Sequence, residues 1–137
     1  MEVSKFIAAR KLIERIEENG VEVRLKKIDH YGTYYPLYDR IDVNIHLDEK
    51  DLLSTLIHEF THALTCTTDI IKVNRFENEV LAFTVESYYF KGVTPERAIP
   101  QVEHYVREYY PEYNNDENNL TLDKVWDVIL KVEEILI

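Results

Sequence analysis

The segment STLIHEFTHALT, residues 54–65, places two histidines four positions apart, with a glutamate directly after the first. Side chains four apart on an α-helix have Cβ atoms about 5–6 Å apart, so His58 and His62 can converge on one metal ion. Glu59 lies about 100° further around the helix, too far to join them as a ligand but near enough to contact a metal-bound water. Zinc (Zn²⁺) lowers the pKa of such a water to about 7, and a carboxylate can take its proton during attack on a carbonyl. The spacing therefore predicts two zinc ligands and a general base.

A catalytic zinc site takes three side chains from the protein and leaves a further coordination position open. The pattern HExxHxxGxxH would supply a third histidine, but Thr65 stands at its glycine and Thr68 at its last histidine. This pattern is therefore excluded. Asp69 lies one residue beyond that position and remains an alternative ligand.

The segment FENEVLAFTVESYYF, residues 76–90, predicts a second helix with three glutamates that could reach the metal. On this helix Glu79 shares its side with Ala82, whose small side chain lets two helices approach closely. A zinc ion bridging two helices requires such an approach, so we predict Glu79 as the third ligand. Glu77 and Glu86 remain alternatives.

Two kinds of supporting residue are expected around such a metal. Metal-bound histidines donate their second ring N–H to a neighbouring acceptor, and Glu86, two turns after Glu79, suits this role towards His58 or His62. Attack of a water on a carbonyl also needs a group that stabilises the oxyanion of the tetrahedral state. The candidates for that group are Tyr88, Tyr89, His104, Tyr105 and Tyr109.

The run HEFTHALT followed by NEVLA resembles the zincin metallopeptidases of the gluzincin group, whose ligands are two motif histidines and a downstream glutamate. Thermolysin-like members have a similar "HE-hydrophobic-TH" run and an "NE-x-x-small" segment, matched here by residues 78–82. The small size of the chain resembles the minimal single-domain gluzincins, the minigluzincins.

The resemblance covers about residues 41–90 and implies a role for each matched position. By this resemblance the zinc ligands would be His58, His62 and Glu79, and the general base and acid would be Glu59. The strand before the active-site helix, here 42–47, would form the upper rim of the cleft and pair with an extended peptide. Phe83 departs from the pattern, because thermolysin-like enzymes have an aspartate one turn after the ligand glutamate.

The segments that carry these residues predict one α+β domain over residues 1–137, with a zincin-like arrangement implied by the resemblance. VEVRL (21–25) and IDVNIHL (41–47) alternate as strands do, and we expect a small, mostly antiparallel sheet. Asp48 can cap the active-site helix, which we expect to end near Cys66. The ligand-bearing second helix follows. Further helices are predicted over residues 2–19, from Thr94-Pro95 to Tyr110, and after Thr121.

Composition limits the classes of partner. The net charge of -10 argues against nucleic acid and against anionic membrane surfaces. No run approaches the roughly 18 apolar residues of a membrane helix, and the N-terminus lacks the apolar core of a secretory signal. The single cysteine, Cys66, excludes an intramolecular disulfide and a cysteine-based zinc cluster. We therefore expect a cytoplasmic protein that acts on neutral or basic partners.

These observations together predict a soluble zinc metalloendopeptidase that hydrolyses a peptide or protein substrate through a metal-activated water. A narrower alternative is a regulatory peptidase specific for one protein. An alternative from another class is a non-catalytic zinc-bound interaction domain, in which Glu59 is only a surface carboxylate. A further hypothesis places residues beyond 92 over the cleft, where they would keep the enzyme latent.

Overall fold

The computed structural model describes residues 7–67 and 73–137, and this part of the chain forms five α-helices and a three-stranded sheet. The order of elements is α1 (Ile7–Glu18), β1 (Glu22–Lys26), β2 (Gly32–Tyr35), β3 (Arg40–Asn44), α2 (Glu49–Thr67), α3 (Arg75–Lys91), α4 (Pro95–Tyr109), a single 3-10 turn (Pro111–Tyr113) and α5 (Leu122–Leu136). The chain is therefore α+β, as predicted. Residues 2–6 of the predicted first helix, like Asp69, lie outside the described residues.

The sheet is mixed, so the prediction of a mostly antiparallel sheet is wrong. Its strand order is β1-β3-β2, with β1 parallel to β3 and β2 antiparallel to β3. The difference arises because the tyrosine-rich segment after β1 forms a strand of its own. That strand turns back through residues 36–39, where Asp39 has a positive φ of 49°, and β3 then enters between β1 and β2. The central strand is thus the last of the three in the chain.

The third strand ends earlier than the alternating pattern predicts. It runs over Arg40–Asn44, and the predicted continuation through residue 47 is a turn. Asn44 ends the strand, because its side-chain oxygen accepts the backbone N–H of His46 at 2.9 Å. A side chain that bonds to the backbone two residues later replaces the next ladder hydrogen bond with a local turn.

Helix α2 is capped and amphipathic, as predicted. Asp48 accepts the backbone N–H of Asp51 at 2.8 Å, which satisfies one of the free donors at the helix start. One side of the helix enters the larger core with Leu52, Leu56, Ile57, Phe60, Ala63 and Leu64. This apolar packing fixes the rotation of α2 about its axis, and therefore the direction in which its polar side faces.

Helix α3 links the two cores of the molecule. It begins with a capping box in which Asn74 and Glu77 bond to each other's backbone N–H groups, and it ends at Gly92 in the left-handed conformation. Leu81 and Val85 enter the core formed with α1, α2, α5 and the sheet, whereas Phe76 packs with α4 in the smaller core. The polar side of α3 between these anchors faces α2.

Helix α4 starts at Pro95 after the cap residue Thr94 and continues through Pro100 to Tyr109. No helix in the two described ranges, 7–67 and 73–137, is both long enough and apolar enough to cross a membrane.

Candidate metal centre

His58 and His62 project from the side of α2 that is turned away from the core, and their rings meet edge to face with centroids 4.9 Å apart. The Nε2 atoms of the two rings lie 3.2 Å apart. Both imidazoles are largely buried, with 10% and 13% of their side-chain surface exposed. The spacing of four residues thus brings two ring nitrogens to one point in a sheltered site.

Glu79 completes this group from α3. Its Oε1 lies 3.2 Å from Nε2 of His62, and its Oε2 lies 3.7 Å from Nε2 of His58. Ligand atoms bound tetrahedrally to zinc at 2.0–2.1 Å lie about 3.3 Å from one another. The separation of the two nitrogens and that between His62 and Glu79 are close to this value, and the separation between His58 and Glu79 is somewhat longer.

The carboxylate of Glu79 has an unsatisfied oxygen that a cation could bind. Its Oε2 is buried and has no hydrogen-bond partner among residues 7–67 and 73–137. A buried carboxylate oxygen without a partner is costly, and a metal ion would satisfy it. The donor set of two imidazoles and a carboxylate is the one found in catalytic zinc sites.

The electrostatics of the site favour positive charge. Burial lowers the pKa of His58, but the carboxylates of Glu79 and Glu86 outweigh burial and raise it to about 10. Burial raises the pKa of Glu79, but the imidazoles of His58 and His62 outweigh burial and lower it to about 2. The site thus stabilises an added cation, because its carboxylates are buried where water screens them weakly.

Each imidazole is oriented through its other nitrogen. His58 donates its Nδ1–H to Glu86 at 3.0 Å, and His62 donates its Nδ1–H to the side-chain oxygen of Asn78. Asn78 in turn donates to the hydroxyl of Thr65 at 2.7 Å. These bonds place a proton on Nδ1 in both rings and turn both Nε2 atoms towards Glu79, so Nε2 is the nitrogen that a metal would take. The structure therefore places Glu86 in the supporting position that the sequence suggests for it.

Glu77 is separated from the metal site although it is only two residues from Glu79. One of its carboxylate oxygens accepts the N–H of Asn74 at 2.9 Å, and the other accepts the N–H of Asn119 at 2.6 Å. Glu77 thus caps α3 and fastens the loop before α5. Of the alternatives to Glu79 for the third ligand, Glu77 and Glu86 are both occupied in other bonds.

Glu59 follows His58 in the chain and borders the cleft beside His58 and His62. A ligand-type atom of its carboxylate lies within 4.8 Å of those of His58 and His62. The Glu79 carboxylate lies within 3.7 Å of both ring nitrogens, whereas Glu59 makes no such close contact with either ring. No hydrogen-bond donor in the described parts of the chain contacts the Glu59 carboxylate.

The site lies where two halves of one cleft meet, and the halves have volumes of about 480 and 630 Å³. The smaller half is bordered by Tyr34 and Pro36 of the sheet side and by Tyr113. The larger half is bordered by Phe83 and Tyr105, whose rings continue outward from His58 with centroid distances of 4.5 and 5.1 Å. Four of the described residues border both halves, namely Gly32, His58, Glu59 and Tyr110.

The strand at the cleft is β2, so the prediction that residues 42–47 form its rim is wrong. β3 has β1 on one side and β2 on the other, and both of its edges are therefore paired. β2 is an edge strand, and Gly32 brings it close to α2. A Cβ at Gly32 would lie 2.7 Å from Cγ2 of Thr55 and 3.5 Å from Cγ of Glu59, so only glycine fits without displacement. Sequence patterns identify strands but do not give their order in a sheet.

Of the five residues considered for the oxyanion, the structure brings only Tyr105 to the cleft. Tyr89 donates its hydroxyl to Ile129 O at 2.9 Å, Tyr88 packs on Trp126, and His104 is an exposed partner of Glu108. Tyr109 borders neither half. Tyr110 also borders the cleft, although the sequence analysis did not select it. The chain has ten tyrosines, and no sequence signal distinguishes Tyr110 from the adjacent Tyr109.

The charges of the site also act on Tyr110. Burial, followed by the negative charge of Glu79 and then those of other groups including Glu59, raises the pKa of the Tyr110 hydroxyl to about 12. The Tyr110 side chain therefore lies within electrostatic range of both carboxylates of the site.

Comparisons of the chain with protein-family models, with curated proteins and with solved structures found no match. A function for this chain therefore rests on the chemistry of its own residues.

Proposed function

We propose that the chain is a zinc metallopeptidase that hydrolyses peptide bonds, with His58, His62 and Glu79 as metal ligands and Glu59 as general base. The observation that carries this proposal is the convergence of two Nε2 atoms and one carboxylate at zinc-like separations in an open cleft. Zinc held by three protein ligands lowers the pKa of a bound water and polarises a carbonyl group.

The protein residues supply the remaining parts of a hydrolysis. Glu59 has a free carboxylate beside the ligands, where it can take a proton from the attacking water and later pass it to the leaving amine. Glu86 and Asn78 hold the two imidazoles with their Nε2 atoms turned towards Glu79. The buried surroundings strengthen these charge interactions, since little water screens them.

The shape of the cleft favours a peptide as the substrate. β2 is an antiparallel edge strand with no further strand on its outer side among the described residues, and it borders the metal group at Gly32. An extended peptide can add to such an edge through main-chain hydrogen bonds, which recognise any sequence. The cleft continues on both sides of Glu59, so substrate residues can extend on both sides of the scissile bond.

The test compares three proteins purified without chelators, namely wild type, Glu59→Gln and the matched control Glu49→Gln. Glu49 stands exposed at the start of the same helix, so its exchange repeats the chemical change away from the cleft. Zinc content is measured by atomic emission, and cleavage is followed by mass spectrometry on a mixed peptide library.

We expect one zinc per chain in all three proteins. Peptide cleavage should fall by roughly 100- to 10,000-fold in Glu59→Gln alone, because the general base is lost and the ligands are kept. A wild type that holds no zinc would contradict the proposal. Zinc retained without any cleavage, or equal cleavage by Glu59→Gln, would favour a zinc-bound interaction domain instead.

A further inference from the structure

Tyr110 occupies a distinctive place in the cleft. It borders both halves together with Gly32, His58 and Glu59, but it reaches the cleft from the end of α4. The other three residues belong to β2 and α2. Tyr110 is thus the residue from the C-terminal part of the chain that stands where the two halves meet.

The ring of Tyr110 is held on several sides. Its backbone N–H bonds to Val106 O at 2.8 Å, and its ring stacks on Tyr113 with centroids 5.6 Å apart and planes 9° from parallel. The guanidinium of Arg75 lies over the Tyr113 ring at 4.8 Å and bonds to Asp116 at 2.9 Å. This chain of contacts ties the position of Tyr110 to the start of α3, the helix that carries the third metal ligand.

The hydroxyl of Tyr110 is available although its ring is braced. No hydrogen-bond partner for it occurs among residues 7–67 and 73–137. The hydroxyl of Tyr34, which borders the smaller half, is already bonded to Asp39 at 2.7 Å. A phenol is protonated at neutral pH and is then an O–H donor. Tyr110 is the one tyrosine among the described residues that borders both halves, and its hydroxyl is free to donate.

We propose that Tyr110 is a catalytic residue whose O–H donates a hydrogen bond to the oxyanion that develops on the scissile carbonyl oxygen. This inference rests on the proposed peptidase function. Water adds to the carbonyl carbon while Glu59 takes its proton, and the electron pair of the C=O bond moves to the oxygen beside Tyr110. The phenol keeps its proton throughout. A donor placed in advance where charge develops lowers the barrier, because it does not have to reorganise during the reaction.

The test is Tyr110→Phe, which removes the hydroxyl and keeps the ring that stacks on Tyr113. The matched control is Tyr109→Phe, the same change at the neighbouring tyrosine, which borders neither half of the cleft. A rival is Tyr105→Phe, since Tyr105 borders the larger half. Zinc content and thermal unfolding of each zinc-loaded variant show whether the metal and the fold are kept.

We expect Tyr110→Phe to lower kcat by about 100-fold with little change in KM, zinc content or melting temperature. Tyr109→Phe should remain close to wild type, and Tyr105→Phe should lower kcat much less than Tyr110→Phe does. A second measurement is independent of turnover: the affinity for N-phosphoryl-Leu-Trp, whose tetrahedral phosphoryl group carries the negative oxygens of the oxyanion state. Calorimetry should show roughly 10- to 100-fold weaker binding of this dipeptide to Tyr110→Phe than to Tyr109→Phe.

The outcomes separate this inference from the proposed function. An active wild type with an equally active Tyr110→Phe, or with the loss in Tyr105→Phe instead, overturns the role of Tyr110 and leaves the peptidase intact. If wild type binds zinc but cleaves no peptide, the affinity for the phosphoryl dipeptide is the deciding measurement. Equal affinity in Tyr110→Phe and Tyr109→Phe then overturns the inference. A wild type without zinc overturns the proposed function, and the role of Tyr110 with it.

Discussion

The helices that carry the proposed metal ligands and the segments that border the cleft are held in different ways. On α2 and α3, His58 is bonded to Glu86, and His62 is bonded through Asn78 to Thr65. At the border, Gly32 approaches α2 by packing alone, and the Tyr110 hydroxyl has no partner in the described structure. A metal requires ligands fixed in advance, whereas a substrate requires groups that are free to bind it. Metal affinity should therefore depend on α2 and α3, and substrate handling on the border.

The largest effect should come from removing a ligand carboxylate. We expect Glu79→Ala to abolish stoichiometric zinc binding, because only two imidazole ligands remain and the carboxylate between them is lost. Glu77→Ala is the control on the same helix. It should keep zinc while lowering the free energy of unfolding by about 1–3 kcal/mol, because α3 loses its capping box and the bond to Asn119.

Zinc content and urea unfolding of the two variants check this expectation. Zinc retained in Glu79→Ala but absent from Glu77→Ala would reverse the roles of the two glutamates.

A smaller loss of zinc affinity should follow from changing Glu86, which accepts the Nδ1–H of His58. Glu86→Gln keeps the size of the side chain but removes the charge that orients the imidazole and strengthens it as a ligand. We expect a 10- to 100-fold loss of zinc affinity, measured by competition with a chromophoric chelator. Glu103→Gln on α4, outside both halves of the cleft, serves as the matched control. Unchanged affinity in Glu86→Gln would show that the bond to His58 is not needed for metal binding.

The smallest effect on zinc, and a separate effect on the cleft, should follow from Gly32→Ala. The added Cβ would meet Thr55 Cγ2 at 2.7 Å and Asp42 O at 3.0 Å, so β2 must move away from α2. We expect a loss of about 1–3 kcal/mol in the free energy of unfolding and weaker peptide cleavage, with zinc content unchanged.

Thr55→Ser removes the methyl group that the new Cβ would meet. The double variant Gly32→Ala/Thr55→Ser should therefore recover part of the lost stability, and a double-mutant cycle measures this coupling. Loss of zinc from Gly32→Ala would contradict the expectation that metal affinity depends on α2 and α3 and not on the border of the cleft.

The two regions also differ in how far sequence reasoning reaches. His58, Glu59 and His62 lie within five positions on one helix, so helix geometry alone predicts their relative placement. Glu79 required a choice among neighbouring glutamates. The small Ala82 favours Glu79, and the structure shows a second reason, since the capping box draws Glu77 to the start of α3. The role of Glu86 depends on where α3 crosses α2. The hydrophobic periodicity of the sequence does not predict that crossing point.

The border could not be predicted in the same way. The alternating pattern of residues 41–47 is that of a strand, but a pattern does not state which strand lies at the edge. β3 became central only because the segment GTYY formed β2 and the chain then turned back. Tyr110 comes to the cleft because α4 packs on α3 through the smaller core, and this contact joins residues that are far apart in the chain.

The sequence by itself determined the chemistry of the candidate centre, because the groups at its heart are spaced within single helices whose geometry is local. Only the tertiary structure decided that Glu79 reaches both imidazoles, that β2 is the rim and that Tyr110 borders the cleft together with Glu59. These placements depend on how helices and strands pack to bury their apolar sides. The hydrophobic effect is non-directional, so it favours burial of those sides but does not specify which polar groups come together as a result.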